Sequence, residues 1–351
     1  MKRNVKSYHL ESTQILQQHL AEQYSVHKLA DNLDNHKYWQ SDIESAEPVG
    51  VTQRPPVSSA KGFFFSEREN IFSFDGQCFR ETLPTPEPFV LFGIHSCDLT
   101  AIAYQDQFFA EDPYYQARRQ QALLVGVDCI TPCENGFCPS VHAGPGVDTA
   151  FADLILHRTD NNRWLLLAAS EKGEQAITGL PLESATEPDA QLRQQRIEQC
   201  KEQFSDDSHI QGAINLLLAQ KVPQQFWNGV GVQCLTCSGC TSLCPTCSCY
   251  GNRELTDGTT ATQQRFWDSC LYESFQREAS QHNPGKLAGD RVKRFWTHKF
   301  NPQTREEFNR HGCVGCGRCE QTCPGVIGAH TIMKRMTDYV EKNVEPDTQL
   351  R

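Results

Sequence analysis

The sequence has no long hydrophobic run and no excess of basic residues. Short apolar runs such as FVLFGI and INLLLA stay far below the ~18 residues that a membrane span needs, so we expect no membrane partner. The formal net charge is −10, which argues against nucleic-acid binding, because that function usually needs a basic surface. No continuous apolar segment follows the first basic residues, so we expect no signal peptide and a cytoplasmic location.

Several common catalytic motifs are also missing. The chain has no G-x-G-x-x-G dinucleotide motif, no P-loop and no G-x-S-x-G nucleophile elbow. An independent catalytic role is therefore not expected, and any flavin or nicotinamide is expected on another chain.

Cysteine, in contrast, is abundant, with 17 residues in a chain of 351. A cytosolic chain of this size does not need disulfides, and cellular reductants keep its thiols reduced. Metal ligation is therefore the favoured role for these residues.

Two runs of cysteines share the pattern C-x-x-C-x-x-C-x-x-x-C-P, which is the spacing of bacterial ferredoxins. The first run contains Cys234, Cys237, Cys240 and Cys244, and the second contains Cys313, Cys316, Cys319 and Cys323. Thiolates three residues apart let one loop wrap three corners of a [4Fe–4S] cluster, while the proline stops a helix from continuing through it. Glycines such as Gly315 and Gly317 let the backbone approach the cluster. A zinc-stabilised interaction module is a remote alternative, because a zinc site has no use for the third cysteine of each run.

In two-cluster ferredoxins the fourth cysteine of each run binds the other cluster. We therefore predict that one cluster is held by Cys234, Cys237, Cys240 and Cys323, and a second by Cys313, Cys316, Cys319 and Cys244. Three further thiols in this half, Cys247, Cys249 and Cys270, are not assigned as ligands, and Cys270 is expected to be buried.

The N-terminal half suggests a third cluster, held by Cys97, Cys129, Cys133 and Cys138. Cys97 and Cys129 each follow a predicted buried strand, and adjacent parallel strands would bring these two positions together. Four thiols are the number that a [4Fe–4S] cluster needs. The alternative is a set of reduced, partly buried thiols. Cys78 and Cys200 are interpreted as packing residues.

The order of predicted elements divides the chain into three parts. Residues 1–180 mix strand and helix patterns and predict an α+β (or α/β) domain with the possible additional cluster. Residues 181–224 predict a helical linker region. From residue 225 onward strand patterns nearly disappear, so residues 225–351 predict a mainly helical domain with two [4Fe–4S] clusters, similar to α-helical ferredoxins.

Five segments closely resemble the β (iron–sulfur) subunit of cytosolic [NiFe] sulfhydrogenases. In chain order they are PFVLFGIHSCDLTAI, DPYYQARRQQALLVGVDC, CPTCSCY, RFWDSC and CVGCGRCEQTCPG. The related A-type subunit of anaerobic sulfite reductases shares most of them. This chain departs from the family pattern twice: it has Gly136 where a CFC triplet usually begins, and Ser248 where CPTCxC usually holds a basic residue.

The resemblance implies a non-catalytic electron-transfer subunit of an oxidoreductase complex. Such a subunit relays electrons between a flavin/NAD(P)-binding reductase subunit and the small and large subunits of a [NiFe] hydrogenase. FAD and NAD(P) are then expected only on the partner. The alternative that the resemblance leaves open is the A-type subunit of an anaerobic sulfite reductase, whose partner subunit carries sirohaem.

Overall fold

The chain forms strands and helices throughout the part that the structure describes. A computed structural model describes residues 5–31, 37–40, 55–159, 163–204 and 208–343. The strands are β1 (Lys6–Leu10), β2 (Ser25–Asp31), β3 (Lys37–Gln40), β4 (Arg68–Phe74), β5 (Phe79–Glu81), β6 (Phe89–His95), β7 (Ala122–Val127), β8 (Leu154–Arg158), β9 (Trp164–Ala168), β10 (Glu183–Ser184), β11 (Tyr250–Thr256) and β12 (Ala261–Trp267). The helices are α1 (Thr13–Ala21), α2 (Ser96–Phe108), α3 (Pro113–Gln121), α4 (Glu171–Ala176), α5 (Glu187–Glu202), α6 (Ser208–Leu218), α7 (Gln224–Gly231), α8 (Gly239–Ser242), α9 (Ala288–Phe300), α10 (Pro302–Phe308), α11 (Arg318–Thr322) and α12 (Ala329–Asn343).

The chain divides into two compact units that are not continuous in sequence. The first unit comprises Met1–Phe65, Leu83–Phe204 and Val314–Cys316. The second comprises Ser66–Thr82, Ser205–Cys313 and Gly317–Arg351. A three-residue segment of the second cysteine run therefore belongs to the first unit.

The first unit is built on a mixed sheet with the strand order β10-β1-β9-β8-β7-β6-β2-β3. Its central strands β6, β7 and β8 run parallel, and every residue of β6 and β7 is buried, as expected for strands covered on both faces. His95 pairs with Val127 in the register, so these two strands end at the same edge of the sheet. The mixed α/β character predicted for the N-terminal region is confirmed.

The second unit combines a helical core with a small antiparallel sheet. Helix α9 shows why the helices pack: its buried side chains recur at helical spacing, namely Val292, Phe295, Trp296, Lys299 and Phe300. The cysteine-rich C-terminal region is mainly helical, as predicted.

The prediction that strands nearly vanish after residue 225 is wrong in one place. Strands β11 and β12 form a hairpin, which pairs with β4 and β5 in the order β11-β12-β4-β5. Six of the seven residues of β11 are exposed, so the strand lacks the apolar alternation by which strands are identified in a sequence.

Candidate iron–sulfur centres

The first cysteine run forms a tight loop between two helices. Cys234 follows the end of α7, and the short helix α8 begins at Gly239. Thr236 and Ser238 between them have φ values of 51° and 65°, a left-handed conformation that bends the chain sharply. Helix α8 ends at Ser242, before the Cys-Pro pair, as the role assigned to the proline predicts.

Five thiols of the second unit line one cavity. They are Cys234, Cys237, Cys240, Cys319 and Cys323. Part of the remaining wall of the cavity is apolar, with Val292, Phe295 and Trp296 of α9. All of these thiols except Cys319 form the set that crossed ligation predicts for one cluster, and Cys319 is predicted to bind the other cluster. Four thiols around a largely apolar cavity fit a [4Fe–4S] cluster, so the prediction for this centre has a site of suitable chemistry.

The thiols around this cavity influence one another electrostatically. Burial, and then the neighbouring Cys323, raise the pKa of the Cys240 thiol to about 12. Burial also raises the pKa of Cys234, with Cys323 and Cys237 adding to the effect. Cluster formation at this site must therefore displace protons from buried thiols, because the thiolate is the form that ligates iron.

Cys244, the fourth cysteine of the first run, lies beside the start of the second run. Thr246 Oγ1, 3.2 Å from Cys244 Sγ, donates a hydrogen bond of 2.8 Å to the Gly312 carbonyl. Gly312 directly precedes Cys313, so this contact holds Cys244 next to the first cysteine of the other run. Crossed ligation of the second cluster needs Cys244 near Cys313, and this ligand set stays a prediction.

A buried lysine that sequence reasoning missed contacts the same thiol. Lys299 Nζ of α9 donates hydrogen bonds to Cys244 Sγ at 3.3 Å, to Cys247 Sγ at 3.5 Å and to the Gly312 carbonyl at 3.1 Å. Lys299 is only 7% exposed. Hydrogen bonds to the sulfurs and nearby charge are two of the factors that set the potential of an iron–sulfur cluster. The position of Lys299 on the apolar face of α9 was the one sequence signal for its burial.

The second cysteine run depends on glycine at two positions. Gly315 and Gly317 have φ values of 63° and 74°, which a side chain would strain. A Cβ on Gly315 would lie 2.6 Å from the backbone nitrogen of Cys138, and the Phe137 amide donates a 2.7 Å hydrogen bond to the Gly315 carbonyl. Both contacts lie within the first unit, where Cys138 also interacts electrostatically with Cys316.

The N-terminal cysteines are grouped, with one addition to the predicted set. Cys129 and Cys138 interact electrostatically with Cys133, and both also interact with Cys200 of α5. Cys97 is buried at the start of α2, directly after β6, and its role as a ligand stays a prediction.

Cys78 and Cys200 differ from each other, although the sequence interpretation treated them alike. Cys78 is exposed between β4 and β5, so its interpretation as a packing residue is wrong. Cys200 is fully buried, and Cys133 is its neighbour.

Cys249 and Cys270 form a thiol pair in the second unit. Cys270 is buried, as expected. A hydrogen bond from Cys270 lowers the pKa of Cys249 below its usual range, and the positive charges of Lys299 and Arg294 add to this. Lys299 donates a hydrogen bond to Cys247 and is a charged neighbour of Cys249 and Cys270, so it lies near all three unassigned thiols.

Two negative findings concern the part of the chain that the structure describes. Within the described ranges, no three His, Cys, Asp or Glu side chains are grouped closely enough to hold a single metal ion. Among the described helices, none has the length and apolar character needed to cross a membrane.

Comparison with known proteins gives a family for the whole chain. The family described as "4Fe-4S dicluster domain" matches residues 233–327. Sulfhydrogenase 2 subunit beta from Pyrococcus furiosus is 31% identical over 307 residues, which cover 84% of this chain and 87% of that protein. No solved structure matches. With both cysteine runs inside the matched domain, this chain is an iron–sulfur, hydrogenase-related electron-transfer protein and belongs to the sulfhydrogenase β-subunit family.

Proposed function

We propose that this chain relays electrons through two [4Fe–4S] clusters between a flavin/NAD(P)-binding subunit and a [NiFe] hydrogenase. One cluster is held by Cys234, Cys237, Cys240 and Cys323, and the other by Cys313, Cys316, Cys319 and Cys244. The observation that carries the proposal is the cavity lined by all four thiols of the first set. One-electron transfer is the chemistry that such clusters supply when bound.

The residues of this chain would position and tune the clusters rather than transform a substrate. The thiols fix each cluster, and the apolar side chains of α9 keep water from part of the first cavity. Lys299 would offset negative charge at Cys244 and favour the reduced form of the second cluster. FAD, NAD(P) and the hydrogen-activating metals would belong to partner subunits.

The name of the Pyrococcus furiosus relative supports a hydrogenase partner. If this chain serves a hydrogenase, a complex coexpressed with its nickel-binding and flavin-binding subunits should reduce NAD(P)⁺ with H₂. Cys234→Ser should abolish that activity while the complex stays assembled, and Cys78→Ser, at an exposed thiol, should leave it unchanged.

Two results would contradict the proposal. One is full H₂-dependent activity in the Cys234→Ser complex. The other is stable assembly with a sirohaem-containing reductase but not with the nickel subunit, which would instead assign the chain to an anaerobic sulfite reductase.

A further inference from the structure

Four thiols of the first unit lie together, outside the two sets assigned to the relay. Cys129, Cys133 and Cys138 come from the loop after β7, and Cys200 comes from α5. The Cys129 amide donates a 3.1 Å hydrogen bond to the Pro145 carbonyl, and Cys138 Sγ would lie 2.8 Å from a Cβ on the adjacent Gly144. A Cβ on Gly136 would meet both Cys133 Sγ and the ring of Phe204, four residues after Cys200. The electrostatic neighbours of Cys138 include the other three thiols. None of the four forms a disulfide. The loop and the helix are more than 60 residues apart in sequence, so a specific tertiary arrangement brings these thiols together.

An ion pair holds α5 against the end of the sheet. Arg193 donates two hydrogen bonds to Asp128, at 2.7 and 3.0 Å, and a third to the Val147 carbonyl at 3.0 Å. Asp128 is fully buried, directly precedes Cys129 and also lies 3.0 Å from His157 Nδ1. These contacts fix α5 beside the residue that precedes Cys129.

Cys200, the fourth thiol, lies on the face of α5 that also carries Arg193. Arg196 donates a 2.7 Å hydrogen bond to the Arg158 carbonyl, and Ile197 packs so closely on Gly146 that a Cβ there would lie 2.6 Å from it. Residues 193, 196, 197 and 200 follow helical spacing and share one face. The contacts of the first three therefore direct Cys200 toward the cysteine loop.

The loop itself is shaped around Cys133. A Cβ on Gly136 would lie only 2.2 Å from Cys133 Sγ, so the thiol occupies the space of a side chain at position 136. Gly136 does not have a positive φ, so its backbone does not require glycine. The absence of a side chain at 136 is explained by the need to admit the thiol of Cys133.

We propose that Cys129, Cys133, Cys138 and Cys200 hold a third [4Fe–4S] cluster. The number and type of side chains are those of such a site. Cys316, a predicted ligand of the second relay cluster, is an electrostatic neighbour of Cys138 within the first unit. Iron content tests this site separately from the two-cluster relay, because each site is removed by different variants.

The ligand set is tested by anaerobic reconstitution of the full chain, with iron and sulfide counted per chain. We expect about twelve irons in the unchanged chain and about eight in Cys200→Ser, because one cluster is lost. Cys97→Ser and the exposed Cys78→Ser should keep all of the iron. Full iron in Cys200→Ser would overturn the proposal, as would loss of about four irons in Cys97→Ser. One zinc per chain, lost in Cys200→Ser, would overturn the cluster assignment.

Exchange of two residues tests the position of the Cys133 thiol. Cys133→Gly should lose about four irons, and the double variant Cys133→Gly/Gly136→Cys should regain them, because the thiol returns to the same space. Gly136→Ala should also lose this iron, whereas Gly229→Ala, at a glycine with open space around it, should not. The EPR signals of the two relay clusters report folding in each variant. Failure of the double variant to regain iron, with those signals intact, would overturn the role of Cys133.

Discussion

The ferredoxin-type runs and the N-terminal thiol group gather the same side chain in different ways. In each run, three thiols lie within seven consecutive residues, and a loop with left-handed residues brings them together. In the N-terminal group, a loop contributes three thiols and a distant helix contributes the fourth, through the ion pair of Arg193 with Asp128. The first kind of site is encoded by spacing, and the second by tertiary packing. Local spacing should therefore make the first kind tolerant of changes elsewhere, whereas the second should depend on residues that never touch the metal.

The largest effect is expected from paired substitutions in the runs, which test crossed ligation. Cys234→Ser/Cys244→Ser should lose about eight irons, because it removes a ligand from both relay clusters. Cys234→Ser/Cys323→Ser should lose only about four, because both residues belong to one cluster. Iron analysis with EPR distinguishes the two, and Cys78→Ser is the control. The reverse pattern of losses would show that each run binds its own cluster.

The next effect concerns the helix that carries Cys200. Arg193→Met leaves the buried Asp128 carboxylate without its ion pair, which typically costs about 3–5 kcal/mol. We expect a lower midpoint of denaturant unfolding and loss of about four irons, with the EPR signals of both relay clusters retained. Arg163→Met, at an exposed arginine, is the matched control. Full iron content in Arg193→Met would show that the N-terminal site does not depend on this contact.

A smaller effect is expected at Lys299. Lys299→Met removes a positive charge 3.3 Å from Cys244 Sγ and should make reduction of the second cluster harder. We expect its potential to fall by roughly 60 mV, a tenfold change for a one-electron couple, with iron content unchanged. An EPR-monitored redox titration measures this shift. Lys299→Arg should restore most of the potential, and Lys293→Met, whose ammonium bonds Gln224 at the surface, should not change it. An unchanged potential in Lys299→Met would exclude the proposed tuning.

The smallest effect concerns the Cys249–Cys270 pair and its pH dependence. The hydrogen bond from Cys270 lowers the pKa of Cys249, so the reactive thiolate persists to a lower pH than in an ordinary cysteine. Cys270→Ala should move the pH profile of Cys249 alkylation upward and slow the reaction at pH 7 by roughly tenfold, because the thiolate fraction falls. Mass spectrometry of the alkylated peptides measures the rate, with exposed Cys78 as the internal control.

Iron content should not change in Cys270→Ala, because Cys270 is assigned as a buried thiol rather than a ligand. A loss of about four irons would make Cys270 a ligand and contradict that assignment. An unchanged pH profile of Cys249 would show that Cys270 does not control its pKa.

The features that sequence could predict are those that depend on near neighbours in the chain. The two cysteine runs, their prolines and the buried strands β6 and β7 could be identified from spacing and apolar character. The need for glycine at positions 315 and 317 could also be inferred, because the second run must form a tight loop. Both glycines have the left-handed conformation that such a loop uses.

Features that depend on distant contacts could not be predicted. Cys200 lies in a polar helix, and nothing near it in sequence indicates that Arg193 and Asp128 bring it to the cysteine loop. Lysine is usually a surface residue, so the sequence does not indicate that Lys299 is buried. Its proposed role in setting a cluster potential follows only from its contact with Cys244. The hairpin β11–β12 escaped prediction because its stability comes from pairing with β4 rather than from an apolar pattern.

Iron quantification combined with Mössbauer spectroscopy on the anaerobically purified full chain tests the central claim most directly. The account predicts a brown protein whose iron is present as [4Fe–4S] clusters, with about eight irons removed by the Cys234→Ser/Cys244→Ser variant. A colourless protein with stoichiometric zinc, whose metal content does not change in that variant, would contradict it.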